Sequence, residues 1–316
     1  MLEPSPFTTV QDLGRAGYQQ FGVPVSGAMD GFALRAANAL VGNSPNAATL
    51  EVGLEGPTLE ATESCLIAVT GTGFDLWIHE RPMPLWAAIY VRRNREIRLQ
   101  SRQRGGWCYL ALAGGIQTPL VLGSRSTYLR GGFGGLEGRT LQTGDELRSG
   151  IPSRQPLELA GRYLPRESRP AYSDNLTVEV IAGPQLDRFT EAGWQTFLSS
   201  EYRISASSDR MGYRLEGPAI EHSAGADIIS DGLAAGSVQV PASGQPIVMM
   251  SDRPTTGGYP KIAAVVSADL PLVAQCPPGA GRLRFRETTV EAAQARWRKM
   301  LNDLRADIVE PEEGTF

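Results

Sequence analysis

Residues 244–263 read GQPIVMMSDRPTTGGYPKIA, and the reading of this stretch decides the fold class. Residues 247–250 form an apolar run of strand length, and a second such run follows at 262–266. The segment between them carries Asp252 and Arg253, of opposite charge, the hydroxyls of Thr255 and Thr256, and then Gly257, Gly258, Tyr259 and Lys261. The two glycines expose backbone N–H groups with no Cβ in the way. A polar, glycine-containing loop between two strands suits a small-molecule site, because sites sit on loops held by a rigid scaffold. Thr-Gly-Gly-Tyr-Pro is equally good turn chemistry for an ordinary hairpin. These residues alone leave both readings open.

Outward from this stretch, strand signals dominate. Short β-branched or aromatic runs at 65–70, 86–91, 107–113 and 176–182 lie between Gly, Pro or Asp punctuators. Helices are expected at 31–41, entered through Asp30 as N-cap and left at Gly42, at 187–198, and at 289–304, with Thr289 as cap. The chain of 316 residues is long enough for two ordinary domains. A faint internal repeat agrees: Leu54-Glu55-Gly56-Pro57 and Leu215-Glu216-Gly217-Pro218 stand about half the chain apart. The Arg- and Pro-rich residues 151–174 read as a linker. The expected organisation is a first domain at 1–150, a second at 175–308 that ends in the helix, and a frayed tail at 309–316.

Composition excludes several functions. The net charge of −4 gives no electrostatic footprint for nucleic acid. No apolar run reaches the ~18 residues of a membrane span, and no charged-then-apolar leader is present. Cys65, Cys108 and Cys276 are widely spaced without a CxxC, as expected of reduced thiols in a cytoplasmic protein. His79 and His222 are the only histidines, lie outside any metal-ligand spacing and read as surface or rim residues, so no metal site is expected. There is no G-x-S-x-G elbow and no Walker phosphate loop. Residues 131–135 are glycine-rich and suit either an anion-binding loop or a tight β connection.

Carboxylates, guanidinium groups and amides remain as candidates. Asp209 and Arg210 form a dense polar cluster with Tyr213, and an arginine fork binds a carboxylate or phosphate bidentately. A solvated Asp–Arg pair at a strand start is the alternative. Gln239, Gln245 and Asp252 flank the Gly/Thr loop and could orient a small amide; Gln11, Asp12 and Arg15 could contribute from the first domain. Lys261 stands out because Lys299 is the only other lysine. Glu51, in an apolar run, needs a partner if buried.

Six blocks occur in order: TTVQDLGR at 8–15, GVPVSGAMD at 22–30, AANALVGN at 36–43, SDRMGYR at 208–214, GSVQVP at 236–241, and TTGGYP at 255–260. Together they resemble the biotin-dependent carboxyltransferase A/B-type family, also called the allophanate hydrolase subunit 2 family, from about residue 7 to about residue 298. The resemblance implies a mainly β fold: two tandem cyclophilin-like β-barrels, a few short helices and a C-terminal helix. In function it implies one component of an ATP-dependent 5-oxoprolinase, which opens 5-oxo-L-proline to L-glutamate together with two partner subunits, the paralogous B and the A. ATP would be used in that complex. An alternative within the family is a carboxyltransferase component acting on urea or a related amide. Biotin would then arrive on another chain, since no attachment segment is present here. A second alternative is a regulatory protein that antagonises a kinase inhibitor. On the oxoprolinase expectation, Lys261 or Arg210 would stabilise transferring charge, with Asp209 or Asp252 as acid/base group. Gln11, Arg15, Tyr213, Gln239, Gln245, Thr255, Thr256, Gly257, Gly258 and Tyr259 would bind substrate.

Overall fold

Alternation of apolar and polar residues builds this molecule. In the strand Asn175–Ala182, Leu176, Val178 and Val180 turn inward while their neighbours face out. In Arg282–Glu287, Leu283 and Phe285 do the same between three outward arginines. The computed structural model describes residues 1–102 and 106–310, so that residues 311–316 of the expected tail lie outside it. The fold is mainly β.

The chain divides into two compact units. The first comprises Met1–Arg15, Ser26–Pro170 and the described residues from Asn302 on; the second comprises Ala16–Val25 and Ala171–Leu301.

In the first unit, a five-stranded antiparallel sheet runs in the order Phe7–Gln11, Thr49–Gly53, Trp107–Leu112, Cys65–Gly71, Ala88–Val91. A four-stranded sheet runs Thr58–Ala61, Arg95–Ser101, Phe74–Ile78, Arg81–Met83. Val10, Leu50, Ile67, Val69, Phe74, Leu76 and Leu99 join one apolar core. The helix Gly31–Leu40 starts as expected: the Asp30 carboxylate accepts the N–H groups of Phe32 at 3.0 Å and Ala33 at 2.8 Å. Within residues 151–174, Leu159, Ala160 and Leu164 are buried, and Pro156–Leu159 forms a one-turn helix. Val309 and Tyr163 exchange two backbone hydrogen bonds, at 3.1 and 3.0 Å.

In the second unit, seven strands close a barrel in the order Asn175–Ala182, Lys261–Val265, Ser237–Gln239, Ile247–Met249, Gly212–Glu216, Tyr202–Ile204, Arg282–Glu287. The first and last of these pair in parallel; every other pairing is antiparallel. Closure leaves no free sheet edge. The helix expected at 187–198 begins later, at Glu191, because the Thr190 hydroxyl takes the Gly193 N–H at 2.9 Å and caps it there. The C-terminal helix Val290–Ala306 sets Ala293, Trp297 and Met300 against Val266 and Ala268 of the barrel. A short helix, Leu270–Gln275, has no counterpart in the sequence reading. Among the described residues, no helix is long and apolar enough to cross a membrane.

Candidate functional site

The stretch that decides the fold joins two barrel strands, Ile247–Met249 and Lys261–Val265. As the chain leaves the first, it turns the Asp252 side chain inward. Arg210 meets it bidentately, Nε to Oδ2 at 2.8 Å and Nη2 to Oδ1 at 3.1 Å, with both side chains about nine-tenths buried. The backbones lock as well, Asp252 N–H to the Arg210 carbonyl at 2.8 Å. The arginine fork expected to hold a ligand is thus closed on a carboxylate of the same unit. Arg253 is buried next to it and donates to the Leu233 and Met250 carbonyls; burial pushes its guanidinium below its ordinary value.

Lys261 is also engaged. Its Nζ is buried and donates to Asp231 Oδ2 at 2.5 Å and to the Gly232 carbonyl at 3.1 Å. The Lys261 ammonium holds the Asp231 carboxyl below the ordinary carboxylate range, helped by the Gly232 N–H and the Gln185 amide. Asp231 and Gly232 pair antiparallel with Gly257 and Thr256, so this ion pair anchors the glycine loop from below. Thr255 and Gly258 contribute their carbonyls, to Leu233 N–H and Ile228 N–H. A Cβ at Gly257 would stand 2.5 Å from Gln239 Nε2, so a side chain there would have to displace the Gln239 amide. Gln239 sits where the register of Ser237–Gln239 shifts against Lys261–Val265, an irregularity that re-aims its side chain to donate to the Tyr259 carbonyl at 3.0 Å. Tyr259 itself is exposed, as is Thr256.

Tyr213 points into the barrel, 1 % exposed, and donates to the Ala274 carbonyl at 2.9 Å. Gln245 clasps the backbone of Gly217, accepting its N–H at 2.9 Å and donating to its carbonyl at 3.0 Å. Asp209 is exposed; its Oδ1 accepts the N–H groups of Met211 at 2.8 Å and Gly212 at 3.3 Å.

The structure brings four of the predicted residues, Asp209, Gln239, Gln245 and Tyr259, to one cavity of about 680 Å³ on the barrel's outer face. Gly212, Ile247 and Met249 floor it, and Arg214, Ser205 and Pro254 complete its walls. Its volume is that of an ordinary small-molecule site. Arg210, Tyr213, Asp252 and Lys261 do not line it, nor do Thr255, Thr256, Gly257 and Gly258. Sequence reasoning quoted Arg214 inside the SDRMGYR block without assigning it a task, and it missed Asp231 and Gln185, which the chain places far from the loop they hold. Strand alternation about the buried Tyr213 would have marked Arg214 as outward-facing.

Gln11 and Arg15 belong to the first unit. Gln11 is buried and donates to Thr9 Oγ1 at 3.1 Å and to the Thr127 carbonyl at 3.0 Å. Arg15, 1 % exposed, donates to the Ser126 carbonyl and stacks on Phe133, 5.0 Å from the ring centroid. Asp12 beside them is buried and accepts from Gly14 N–H, the Ser124 and Ser126 hydroxyls and Arg125 N–H at 2.5–2.8 Å. The glycine-rich residues 131–135 form a tight connection on this cluster: a Cβ on Gly134 would fall 2.0 Å from the Ser126 carbonyl, and one on Gly135 1.9 Å from Thr127 Oγ1. Glu51 finds its partners in Met29 N–H and the Tyr109 hydroxyl, each at 2.7 Å.

His79 is exposed, whereas His222 is half-buried against Phe189 and hydrogen-bonded to Val240. Burial raises the thiols of Cys65 to about 11 and Cys276 to about 12, and it holds Cys108 well above its ordinary value, so all three stay protonated at neutral pH. Among the described residues, no group of three His, Cys, Asp or Glu side chains is placed to hold a metal ion.

Comparison with known proteins gives a consistent picture. The family model described as carboxyltransferase domain, subdomain A and B, matches residues 21–287. The chain is 40 % identical over 294 residues to the 5-oxoprolinase C subunit of Escherichia coli (strain K12), covering 93 % of this chain and 92 % of that one. It is 35 % identical over 299 residues to the 5-oxoprolinase C subunit of Haemophilus influenzae, covering 95 % and 94 %. The crystal structure of the K. lactis urea amidolyase superposes with a TM-score of 0.90 at 28 % identity, over 99 % of this chain but only 20 % of that longer chain.

Proposed function

This chain belongs to the carboxyltransferase family of subdomains A and B, and from that premise we propose that it is the C subunit of a 5-oxoprolinase, opening the lactam of 5-oxo-L-proline to L-glutamate with the use of ATP. The observation that carries this reading is end-to-end correspondence: two relatives named as that subunit match this chain over more than nine-tenths of both lengths. The urea amidolyase correspondence, by contrast, occupies a fifth of a larger protein.

A protein named as a C subunit implies other subunits, and a paralogous B and an A are the partners proposed, in the cytoplasm. The cavity on the barrel of the second unit is the proposed seat of the cyclic amide, with its glycine loop held rigid by the Lys261–Asp231 and Arg210–Asp252 pairs. Rigid support of this kind keeps a reacting group oriented. Arg210 and Lys261, the cations expected to meet transferring charge, offer no phosphate cradle, since each is committed to a carboxylate. ATP is therefore assigned to the assembled complex.

The test is ATP-dependent glutamate release from 5-oxoproline, measured with this chain alone and with the B and A subunits. Release only from the mixture is expected. Silence of the mixture toward 5-oxoproline, with carboxyl transfer from carboxybiotin to urea instead, would overturn the reading in favour of a carboxyltransferase. Silence in both assays would leave the antagonist of a kinase inhibitor as the surviving reading.

A further inference from the structure

Resting on the 5-oxoprolinase reading, we propose that Arg214 selects the substrate by holding the carboxylate of a small cyclic amide, with Asp209 accepting the amide N–H. Strand geometry places the guanidinium. Tyr213 and Leu215 turn into the barrel, each 1 % exposed, so Arg214 between them faces outward onto the cavity. Among the described residues, it is the one cation lining that cavity. Glu216, two residues on and on the same face, is taken by Arg203 at 2.5 Å. Among the described residues, the hydrogen bonds of Arg214 run through its backbone, to the Ser208 hydroxyl and Ser205 N–H, and none involves its side chain. A planar fork of donors opening into a cavity recognises a planar, bidentate anion, and a carboxylate fits it.

Asp209 supplies the second point. Met211 and Gly212 fix its Oδ1, which leaves Oδ2 as an acceptor on the same cavity. A carboxylate acceptor asks for an N–H donor. Between the two lies Gly212, a bare stretch of floor where a Cβ would come within 3.1 Å of Ile247. One ligand chemistry meets all three features: a small, flat ring carrying an N–H and a carboxylate. Urea offers the N–H but no carboxylate. A lactam lacking its acid group offers the same half of the recognition.

The test measures binding of 5-oxoproline, 2-pyrrolidinone and urea by calorimetry to the full chain, free and within the assembled complex, and KM for 5-oxoproline in the complex. Arg214→Ala and Arg214→Lys are compared with the unaltered chain. Arg214→Ala is expected to weaken 5-oxoproline binding and raise KM by roughly ten- to hundredfold, with 2-pyrrolidinone unaffected. Arg214→Lys should recover part of the loss, keeping charge without the fork. Unchanged 5-oxoproline affinity and KM in Arg214→Ala would overturn the proposal while glutamate release still supported the functional reading. Arg214-dependent binding of the carboxylated lactam, without glutamate release by the complex, would sink that reading and leave the subsite standing. No binding of 5-oxoproline to the unaltered chain, alone or in the complex, overturns the proposal.

Discussion

Asp12 in the first unit and Asp209 in the second each accept a backbone N–H two residues ahead, from Gly14 and Met211, both at 2.8 Å. Arginine follows each within a few positions, Arg15 in one case and Arg210 in the other. As sequence, Asp-Leu-Gly-Arg and Asp-Arg-Met-Gly-Tyr-Arg look like the same device. Their surroundings separate them. Asp12 is 2 % exposed and commits both oxygens to hydroxyl and N–H donors of residues 124–126, while Arg15 is sandwiched between the Ser126 carbonyl and Phe133. Asp209 commits one oxygen and leaves the other at a cavity. A polar group that has satisfied itself inside the protein is architecture, and one that still faces space is available for chemistry. By that measure Arg210 and Asp252 side with Asp12, and Arg214 sides with Asp209.

The sharpest way to break this division is at the buried pair. Asp252→Asn removes the charge that Arg210 needs in a nearly dry setting, and breaking such a pair costs about 3–5 kcal/mol. Urea denaturation of the isolated chain should show that loss. A variant as stable as the unaltered chain, yet inactive in the complex, would move the pair from support to catalysis. The next step compares one chemical change at two sites. Asp12→Asn puts an amide among four donors and should cost about 1–3 kcal/mol, read in the same denaturation experiment. Asp209→Asn should stay within about 0.5 kcal/mol, while glutamate release falls by roughly tenfold or more through loss of a charge-assisted hydrogen bond. Equal stability losses at both positions would erase the distinction drawn between them.

Much of the fold was legible because apolar runs between Gly and Pro punctuators are local facts. The strands around residues 65–71, 107–112, 175–182 and 247–249 follow directly from them. The Asp30 cap was legible for the same reason, since a cap acts on residues two and three positions away. The site was less legible because its sorting depends on burial and on distant partners. Nothing within the TTGGYP loop reveals that Lys261 answers to Asp231, or that Gln185 touches both Lys261 N–H and Asp231. Arg210 and Lys261 are of the residue types that bind anions, but each anion they meet is the protein's own. Arg214 does not stand out within its polar cluster in sequence, because its availability comes from facing outward between two inward neighbours, Tyr213 and Leu215.

The Lys261–Asp231 pair lies between the two classes, with a buried ammonium and a carboxylate 53 % exposed, and it offers the smallest and most discriminating test. The Asp231 carboxyl is held below its ordinary value chiefly by Lys261. A group lowered on folding adds stability that is fully present above its unfolded pKa of about 3.9 and is lost as pH falls through the folded value. Near neutrality the pair should therefore be insensitive to pH, and below about pH 4 the bridge between Asp231–Gly232 and Thr256–Gly257 should loosen. Because Asp231 is open to solvent, salt screens the attraction, and the change should stay local rather than unfold the barrel. Hydrogen–deuterium exchange across residues 228–232 and 256–258 reads this directly, with Lys261→Met as control for the intrinsic pH dependence of exchange. The unaltered chain should gain exchange relative to Lys261→Met only as pH drops below about 4, since the variant has already lost the attraction that acid removes. Parallel pH profiles in the two proteins would mean that the backbone pairing alone holds the glycine loop, and that Lys261 belongs with the groups whose work is done elsewhere.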